Sequence, residues 1–420
     1  MLADTYDRQK NDTIMTYVQK MFSLSGMEIQ DFTASNNKIA SNFFRRLNVQ
    51  RNAYSLGNGV SFNDEATKEK FGARFDTVLM QAAYAALIHA VSFPFWNGKL
   101  YCFRATEFAP LYDEETGALM AGARFWQIDS EKPMFAVVYE ADGFTKWRKA
   151  KGEDFKIAVA KKPYVQKVVY TKADGEEVVD SDNYSALPII PLWGSSLKQS
   201  TLIGLQSQID SYDLIRSGFA NDLSDVAQIY WIIENYGGMN ESDLARFRDR
   251  LKLNHIAEAD TSEGGKITPY SQDVPYQARQ TYLDGLRQSI YDDFGAFDVR
   301  GFSSGAKTAT EIDAAYQPLD ENADDFEARI IEFVQSLGAL LGISEEESTP
   351  LFKRNKITNA TEMVQALASA DWLDEETKIR HTPFITVDEV EGVVERMSAE
   401  AVERMSGGIN AVQGEETDTI

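Results

Sequence analysis

The chain has one cysteine and three histidines in 420 residues, and each scarcity excludes a class of site. Cys102 alone can form neither an intrachain disulfide nor a cysteine-based zinc cluster. His89, His255 and His381 are isolated in sequence, so we recognise no metal-ligand spacing. No apolar run reaches the ~18 residues that a membrane helix needs, and the first residues lack the pattern of a secretory signal. We therefore expect no metal, no cofactor and no membrane association.

Positive charge is also scarce, since 42 basic residues stand against 65 acidic ones and the formal net charge is -23. Such a balance favours solubility and repels nucleic acid. We recognise no basic patch of the kind that tight DNA binders use to neutralise phosphates. We therefore expect no tight DNA binding through phosphate neutralisation, whereas weak, sliding contact stays compatible with this charge. The apolar content of 43% is enough for an ordinary core.

The first ninety residues show helical periodicity, and a β-rich stretch follows. Apolar spacing of three and four predicts helices over 4–22 and 36–54, and another that is capped by Asp64. Beyond Phe93, short β-type runs separated by glycine-containing turns predict an antiparallel layer. That layer closes with two prolines three residues apart, Pro188 and Pro191, which favour a sheet edge.

Two long amphipathic helices are predicted in the third region, on either side of a small α/β insertion. Apolar residues step by three or four from Leu202 to Leu223, and again from Leu283 to Phe297. Pro275 would occupy the first position of the second helix, where proline is tolerated. The aromatic pair Tyr230-Trp231 in the insertion fits either a buried strand or base stacking. We expect the two helices to pair as a stalk.

A Gly/Ser loop with two cations follows, and its central residues are Arg300, Gly301, Phe302, Ser303, Ser304, Gly305, Ala306 and Lys307. It differs from a Walker A loop, because a residue separates Gly305 from Lys307 and a helix, not a strand, precedes it. Thr308 and Glu311 have the spacing of a capping box, which predicts a helix of about 33 residues. Pro318 inside that helix predicts a kink.

No catalytic constellation is recognised. The acidic pairs Asp292-Asp293 and Asp324-Asp325 have no lysine or histidine at a characteristic distance, so solvated helix faces are the favoured interpretation. The chain also lacks the Gly-x-Ser-x-Gly elbow of serine hydrolases. We therefore predict that it is not an enzyme. A metal-dependent nucleic-acid enzyme is the least favoured alternative.

The order of these elements resembles the portal proteins of tailed double-stranded-DNA bacteriophages, in the family typical of phages with long non-contractile tails. The resemblance rests on the segment 51–57, the β-rich stretch ending at Pro191, the helices and insertion of 199–296, and the loop with its proline-containing helix. It covers most of the chain, although no single motif in it is diagnostic. It implies a mostly helical α+β subunit of a twelve-membered ring.

The resemblance also divides the chain into parts. These are a wing of N-terminal helices followed by a β-rich layer (1–198), a stem helix (199–223), a small α/β clip (224–274), a second stem helix (275–296), a tunnel loop (297–308), a kinked wing helix (309–343), a helical crown (344–404) and a disordered tail (405–420). The implied contacts with the DNA channel come from the tunnel loop, through Arg300, Gly301, Ser303, Ser304, Gly305 and Lys307.

The implied function is a channel for non-specific passage of double-stranded DNA into and out of the capsid. The implied partners are the terminase large subunit, head-completion or adaptor proteins, and the major capsid and scaffolding proteins. The implied location is the portal vertex of the virion, after assembly in the host cytoplasm. Another head–tail connector or capsid-associated structural protein is the main alternative.

Overall fold

The computed structural model describes most of the chain, with several gaps. The described residues are 2–18, 20–22, 27–30, 35–171, 177–226, 230–234, 242, 266–270, 276–302, 308–356, 360–380, 382, 390 and 392–399. Ser303, Ser304, Gly305 and Lys307 of the predicted tunnel loop therefore lie outside the described residues. So do Pro275, His255, His381, most of the predicted clip, and the predicted tail.

Two short helices begin the chain where the periodicity predicted one helix over 4–22. Helix α1 spans Leu2–Asp7 and α2 spans Asp12–Thr16, and strands β1 (Lys20–Phe22) and β2 (Glu28–Gln30) pair antiparallel after them. The single-helix prediction was wrong because Asn11 acts as an N-cap, and its side chain accepts from the backbone N–H of Ile14 at 3.3 Å.

Three helices build the centre of the N-terminal region: α3 (Phe43–Leu56), α4 (Glu65–Phe71) and α5 (Phe75–His89). The short strand β3 (Val60–Ser61) lies between α3 and α4. Asp64 caps α4 as predicted, by accepting from the backbone N–H of Ala66 at 3.1 Å. Gly72 separates α4 from α5, since its φ of 88° lies in the region that other residues rarely adopt.

The predicted antiparallel strands are present and form two main sheets. One sheet has the order β13-β4-β5, from Leu192–Trp193, Val91–Trp96 and Leu100–Arg104. The other has the order β10-β9-β8-β7-β6, from Lys156–Lys162, Gly143–Lys149, Met134–Glu140, Leu119–Gln127 and Phe108–Tyr112. Strands β11 (Val165–Thr171) and β12 (Glu177–Asp182) form a hairpin. The proline-flanked segment leads into β13, which lies at a sheet edge as predicted.

Two long helices, α6 (Gln206–Val226) and α7 (Tyr276–Phe294), pack against each other. In the part of the chain that joins them, strands β14 (Tyr230–Glu234) and β15 (Lys266–Tyr270) pair with each other. Helix α6 begins four residues later than the apolar spacing predicted, because Leu202 and Leu205 belong to turns. Both leucines are nevertheless buried in one cluster with Ile209 and Ile290.

Residues 35–42, here named the strap, run extended along α6, although the periodicity predicted a helix from Asn36. The backbone N–H groups of Asn37, Ile39 and Ser41 donate to side chains of α6, namely Asn221 (2.5 Å), Ser217 (3.0 Å) and Asp213 (2.9 Å). These bonds satisfy donors that a helix would otherwise use. Burial raises the pKa of the Asp213 carboxyl above its ordinary value, although donors from Asn11 and Ser41 oppose this.

The C-terminal part is built on one long helix, α8 (Ala309–Leu340), which contains Pro318. After it come α9 (Glu345–Ser348), β16 (Leu351–Phe352, paired with β3), α10 (Ala360–Ser369) and α11 (Glu375–Arg380). The kink at Pro318 stays a prediction.

The largest core cluster lies where α8 meets the N-terminal helices and the three-stranded sheet. Phe326, Ile330 and Phe333 of α8 are buried there against Phe75 and Leu79 of α5. The long helix that follows the loop is therefore fixed to the same body as the first ninety residues. A second cluster joins α3 to α6 and α7, so the helices on both sides of the loop have rigid support.

Candidate functional site

The loop that the sequence singled out begins at a tightly packed junction between α7 and α8. Gly295 ends α7 with a φ of 64°, and a Cβ at this position would lie 2.1 Å from the Nδ2 atom of Asn322. That Nδ2 donates to the carbonyl oxygens of Phe294 (3.0 Å) and Pro318 (3.1 Å). The junction therefore has no room for a side chain at residue 295.

A stack of three aromatic rings holds the next residues. The ring of Phe297 lies 4.3 Å from that of Tyr316 at 7°, and the Tyr316 ring lies 5.7 Å from that of Tyr54. The carbonyl of Phe297 accepts from the Nε2 of Gln50 at 2.9 Å. Phe297 is only 4% exposed. The beginning of the loop, which we name its first root, is therefore anchored to both α3 and α8.

An ion pair completes this root. The guanidinium of Arg287 donates to both carboxylate oxygens of Asp298, at 2.5 and 2.6 Å. Burial raises the pKa of Asp298, but hydrogen bonds from Arg287 and from the backbone N–H of Arg300 outweigh it and hold the pKa below its ordinary value. The Arg300 N–H bond, at 3.1 Å, opens a short 3-10 helix, Val299–Phe302. The Arg300 side chain is exposed on this turn.

The second root of the loop is the predicted capping box. The hydroxyl of Thr308 accepts from the backbone N–H of Glu311 at 3.3 Å, and the Glu311 carboxylate accepts from the backbone N–H of Thr308 at 3.0 Å. Two donors at the start of α8 are thereby satisfied. The loop is thus held at both ends by contacts within the subunit.

A charged network that sequence reasoning missed lies next to the aromatic stack on α8. Asp320 accepts from the hydroxyl of Tyr54 at 2.7 Å and from Lys356 at 2.7 Å. Arg354 donates to Asp320 at 2.9 Å and to Glu327 at 2.8 Å. The pKa of Asp320 lies below its ordinary value because these donors outweigh its burial. The long sequence separation between residues 320 and 354 gave no local signal of this network.

The acidic pairs that were considered as metal ligands have other partners. Asp324 pairs with Arg354, and Asp325 accepts from the backbone N–H of Ser196 at 3.0 Å. Asp292 and Asp293 accept from glutamine side chains. They are therefore not simply solvated faces, as the sequence suggested. Within the described ranges, no group of three or more His, Cys, Asp or Glu side chains could hold a metal ion.

His89 and Cys102 have structural surroundings. The Nε2 atom of His89 lies 3.3 Å from the carboxylate of Asp4, and burial lowers the pKa of this histidine. Burial also raises the pKa of the Cys102 thiol to about 11. The Cys102 thiol therefore stays protonated near neutral pH and is not a reactive nucleophile.

The sequence contains a basic cluster that the expectation of no basic patch overlooked. Residues 143–162 hold seven basic and two acidic residues, in a chain whose net charge is -23. They form the strands β9 and β10 at one side of the five-stranded sheet. Local counting along the chain could have found this cluster, whereas the overall balance concealed it.

Residues 3–407 match the family model for phage portal proteins of the SPP1 Gp6-like type. The chain belongs to this portal protein family. It is thus a bacteriophage portal component. Among the described helices, none combines the length and hydropathy that crossing a bilayer requires.

Two curated portal proteins illustrate the relationship. The portal protein of Bacillus phage SPP1 is 22% identical over 410 residues, which cover 88% of this chain and 78% of that protein. The portal protein of Clostridium phage phiCD119 is 24% identical over 222 residues, and the match spans about half the length of each chain (51% of this one and 49% of that one).

A solved structure described as the neck of a native GTA particle computed with C12 symmetry is also similar. Its TM-score is 0.43 at 10% sequence identity, and the match covers 80% of this chain and 87% of that chain.

Proposed function

We propose that this portal-family chain assembles into a ring of twelve copies that encloses a channel for double-stranded DNA. The ring would pass DNA during packaging and ejection. The observation that carries the proposal is the doubly anchored loop between α7 and α8, in a chain that the portal family matches over residues 3–407. A segment held firmly at both ends can project from each copy toward a common axis.

The loop has the chemistry of a surface that touches DNA without holding it. Arg300 and Lys307 are its cations, and Gly301 and Gly305 permit backbone conformations that other residues resist. Exposed ion pairs are worth about 1 kcal/mol or less, so contacts with phosphates break easily. Contacts to phosphates also carry no base sequence information. Ser303 and Ser304 add hydroxyl donors of the same non-specific kind.

The acidic character of the rest of the chain supports sliding. With a net charge of -23, each copy repels phosphate over most of its surface. A few cations among many carboxylates give shallow binding, which a conduit requires.

The proposed role is structural and not catalytic. Residues 199–223 and 275–296 would form the stem, and 344–404 the crown. The clip at 224–274 would be the docking site for the terminase large subunit and later for head-completion or adaptor proteins. Contacts with the major capsid and scaffolding proteins would place the ring at one vertex of the virion, after assembly in the host cytoplasm.

Electron microscopy of the purified full-length chain tests the proposal. We expect rings with a central channel and no divalent-dependent cleavage of DNA. Solid or open assemblies would favour a different virion component, and cleavage by a monomer or dimer would favour a nucleic-acid enzyme.

The loop has its own test in a packaging assay with assembled heads. Arg300→Glu combined with Lys307→Glu should slow DNA packaging several-fold and leave ring assembly intact. The matched control reverses two exposed cations on other surfaces, Arg74→Glu with Lys99→Glu. If both double variants package DNA at the wild-type rate, the loop cations have no role in the channel.

A further inference from the structure

One face of the five-stranded sheet carries mainly apolar side chains that are partly or largely exposed, and we name it the outer face. Ten residues lie on this side of the sheet. The strand register arranges them in three rows of directly paired neighbours: Leu111–Ala121, Ala109–Ala123–Val138–Thr145 and Phe125–Ala136–Trp147–Ile157. Alternate residues such as Phe108, Val137 and Tyr139 point to the opposite side and are buried in a core cluster. None of the ten belongs to, or packs against, any of the core clusters formed by the described residues.

The exposure of this face is unusual for a sheet that faces water. Ile157 is 57% exposed, Leu111 60% and Phe125 39%. Antiparallel sheets with one wet face normally alternate apolar and polar residues, whereas the central strand β8 is apolar on both sides. A contiguous exposed apolar patch marks a protein interface.

The rim of the outer face is positively charged. Lys149 follows Trp147 on the same side of β9, and the exposed Lys151 beside it pairs with Glu131 at 2.6 Å. A partner that fits this surface must present an apolar anchor with carboxylates around it.

The same chain carries such a surface elsewhere. Trp372 lies between α10 and α11 and is 83% exposed, the largest exposure among the large hydrophobic side chains of the described residues. Asp371 and Asp374 flank it and are exposed as well. The sequence continues with Glu375 and Glu376. We name residues 371–374 the Trp372 knob.

We propose that the Trp372 knob of one copy docks on the outer face of a second copy of this chain. Tryptophan is the residue type most typical of interface anchors, and the charges of the two surfaces are opposite. Because the two surfaces differ, the contact is heterologous and repeats around a closed ring. The inference rests on the proposed ring and names one of its contacts.

Photo-crosslinking of the full-length chain tests the contact directly. A benzophenone amino acid replaces Trp372 in one isotope-labelled population, which is mixed with unlabelled chain before assembly. Cross-links between differently labelled copies should map to peptides within residues 109–157. Cross-links to any other part of a second copy would overturn the proposal.

Ring assembly over a concentration series gives the energetic test. Trp372→Ala and Ile157→Lys should each raise the concentration for half-assembly about tenfold or more, as expected for loss of an interface anchor. Ile203→Lys is the matched control, since Ile203 is 62% exposed on a different surface, and it should change assembly less than about twofold.

Exchanging the charges of the two surfaces distinguishes the loss of this contact from a general loss of subunit stability. Lys149→Asp and Asp371→Lys should each weaken assembly, and the two together should restore it. Wild-type rings with no effect of any of these changes would overturn the docking proposal and leave the ring intact. Absence of rings from the wild-type chain would instead refute the proposed function itself.

Discussion

The root of the loop and the outer face of the sheet use the same residue types in opposite ways. At the root, Phe297 and Tyr316 are stacked and buried, and Arg287 is paired with Asp298. On the outer face, Phe125 and Ile157 are exposed and belong to none of the core clusters of the described residues. Aromatic and cationic side chains stabilise the subunit where the chain supplies their partners. Where apolar side chains are exposed side by side, they indicate a surface that another molecule covers.

The largest difference is expected from truncating one aromatic ring in each region. Phe297→Ala should lower the free energy of unfolding by about 3–5 kcal/mol, because it leaves a cavity in the buried stack. Phe125→Ala should cost less than about 1 kcal/mol in the dissociated subunit. Denaturant unfolding of both variants measures the two costs. Equal costs would remove the distinction between the regions.

A substitution at Gly295 tests how tightly the root is packed. Gly295→Ala should destabilise the chain by about 2–3 kcal/mol, since both its positive φ and the contact with Asn322 are unfavourable. Gly342→Ala is the control, because Gly342 has a φ of 74° but open space around it. That variant should cost about 1 kcal/mol in thermal unfolding. A Gly295 variant no worse than the control would show that the root is loosely packed.

The ion pairs of the two regions should respond differently to removal and to pH. Asp298→Asn should cost about 1–2 kcal/mol near neutral pH, since Arg287 would keep a half-buried charge. Glu131→Gln, which breaks an exposed pair with Lys151 at the sheet rim, should cost less than about 0.5 kcal/mol.

The pH dependence of the root follows from the lowered pKa of Asp298. The stabilisation is complete above the unfolded-state pKa of about 3.9 and is lost as pH falls through the lower folded-state pKa. The difference in unfolding free energy between wild type and Asp298→Asn should therefore shrink below about pH 4. A difference that stays constant across this range would mean that the carboxylate is not held by Arg287.

Sequence predicted the parts of the fold that local patterns determine. The capping box at Thr308, the cap at Asp64, and the strands of the β-rich layer depend on residues close together in the chain. The strap did not follow from its own sequence, because its hydrogen-bond partners lie on α6, more than 170 residues away. Similarly, the network around Arg354 depends on tertiary contacts. The basic cluster is present in the local sequence, but the net charge of the whole chain conceals it.

The strap and α6 fit together because the spacing of the donors along the strap is nearly the same as the spacing of the acceptors along α6. The acceptors Asp213, Ser217 and Asn221 are four residues apart, which is about 6.0 Å along a helix axis. The donors Ser41, Ile39 and Asn37 are two residues apart, which is about 6.6 Å along an extended chain. The donor spacing on the strap and the acceptor spacing on α6 differ by about 0.6 Å per step, and this difference accumulates along the pair. Such a match can hold over only a few repeats, and here it carries the three hydrogen bonds from Ser41 to Asn37.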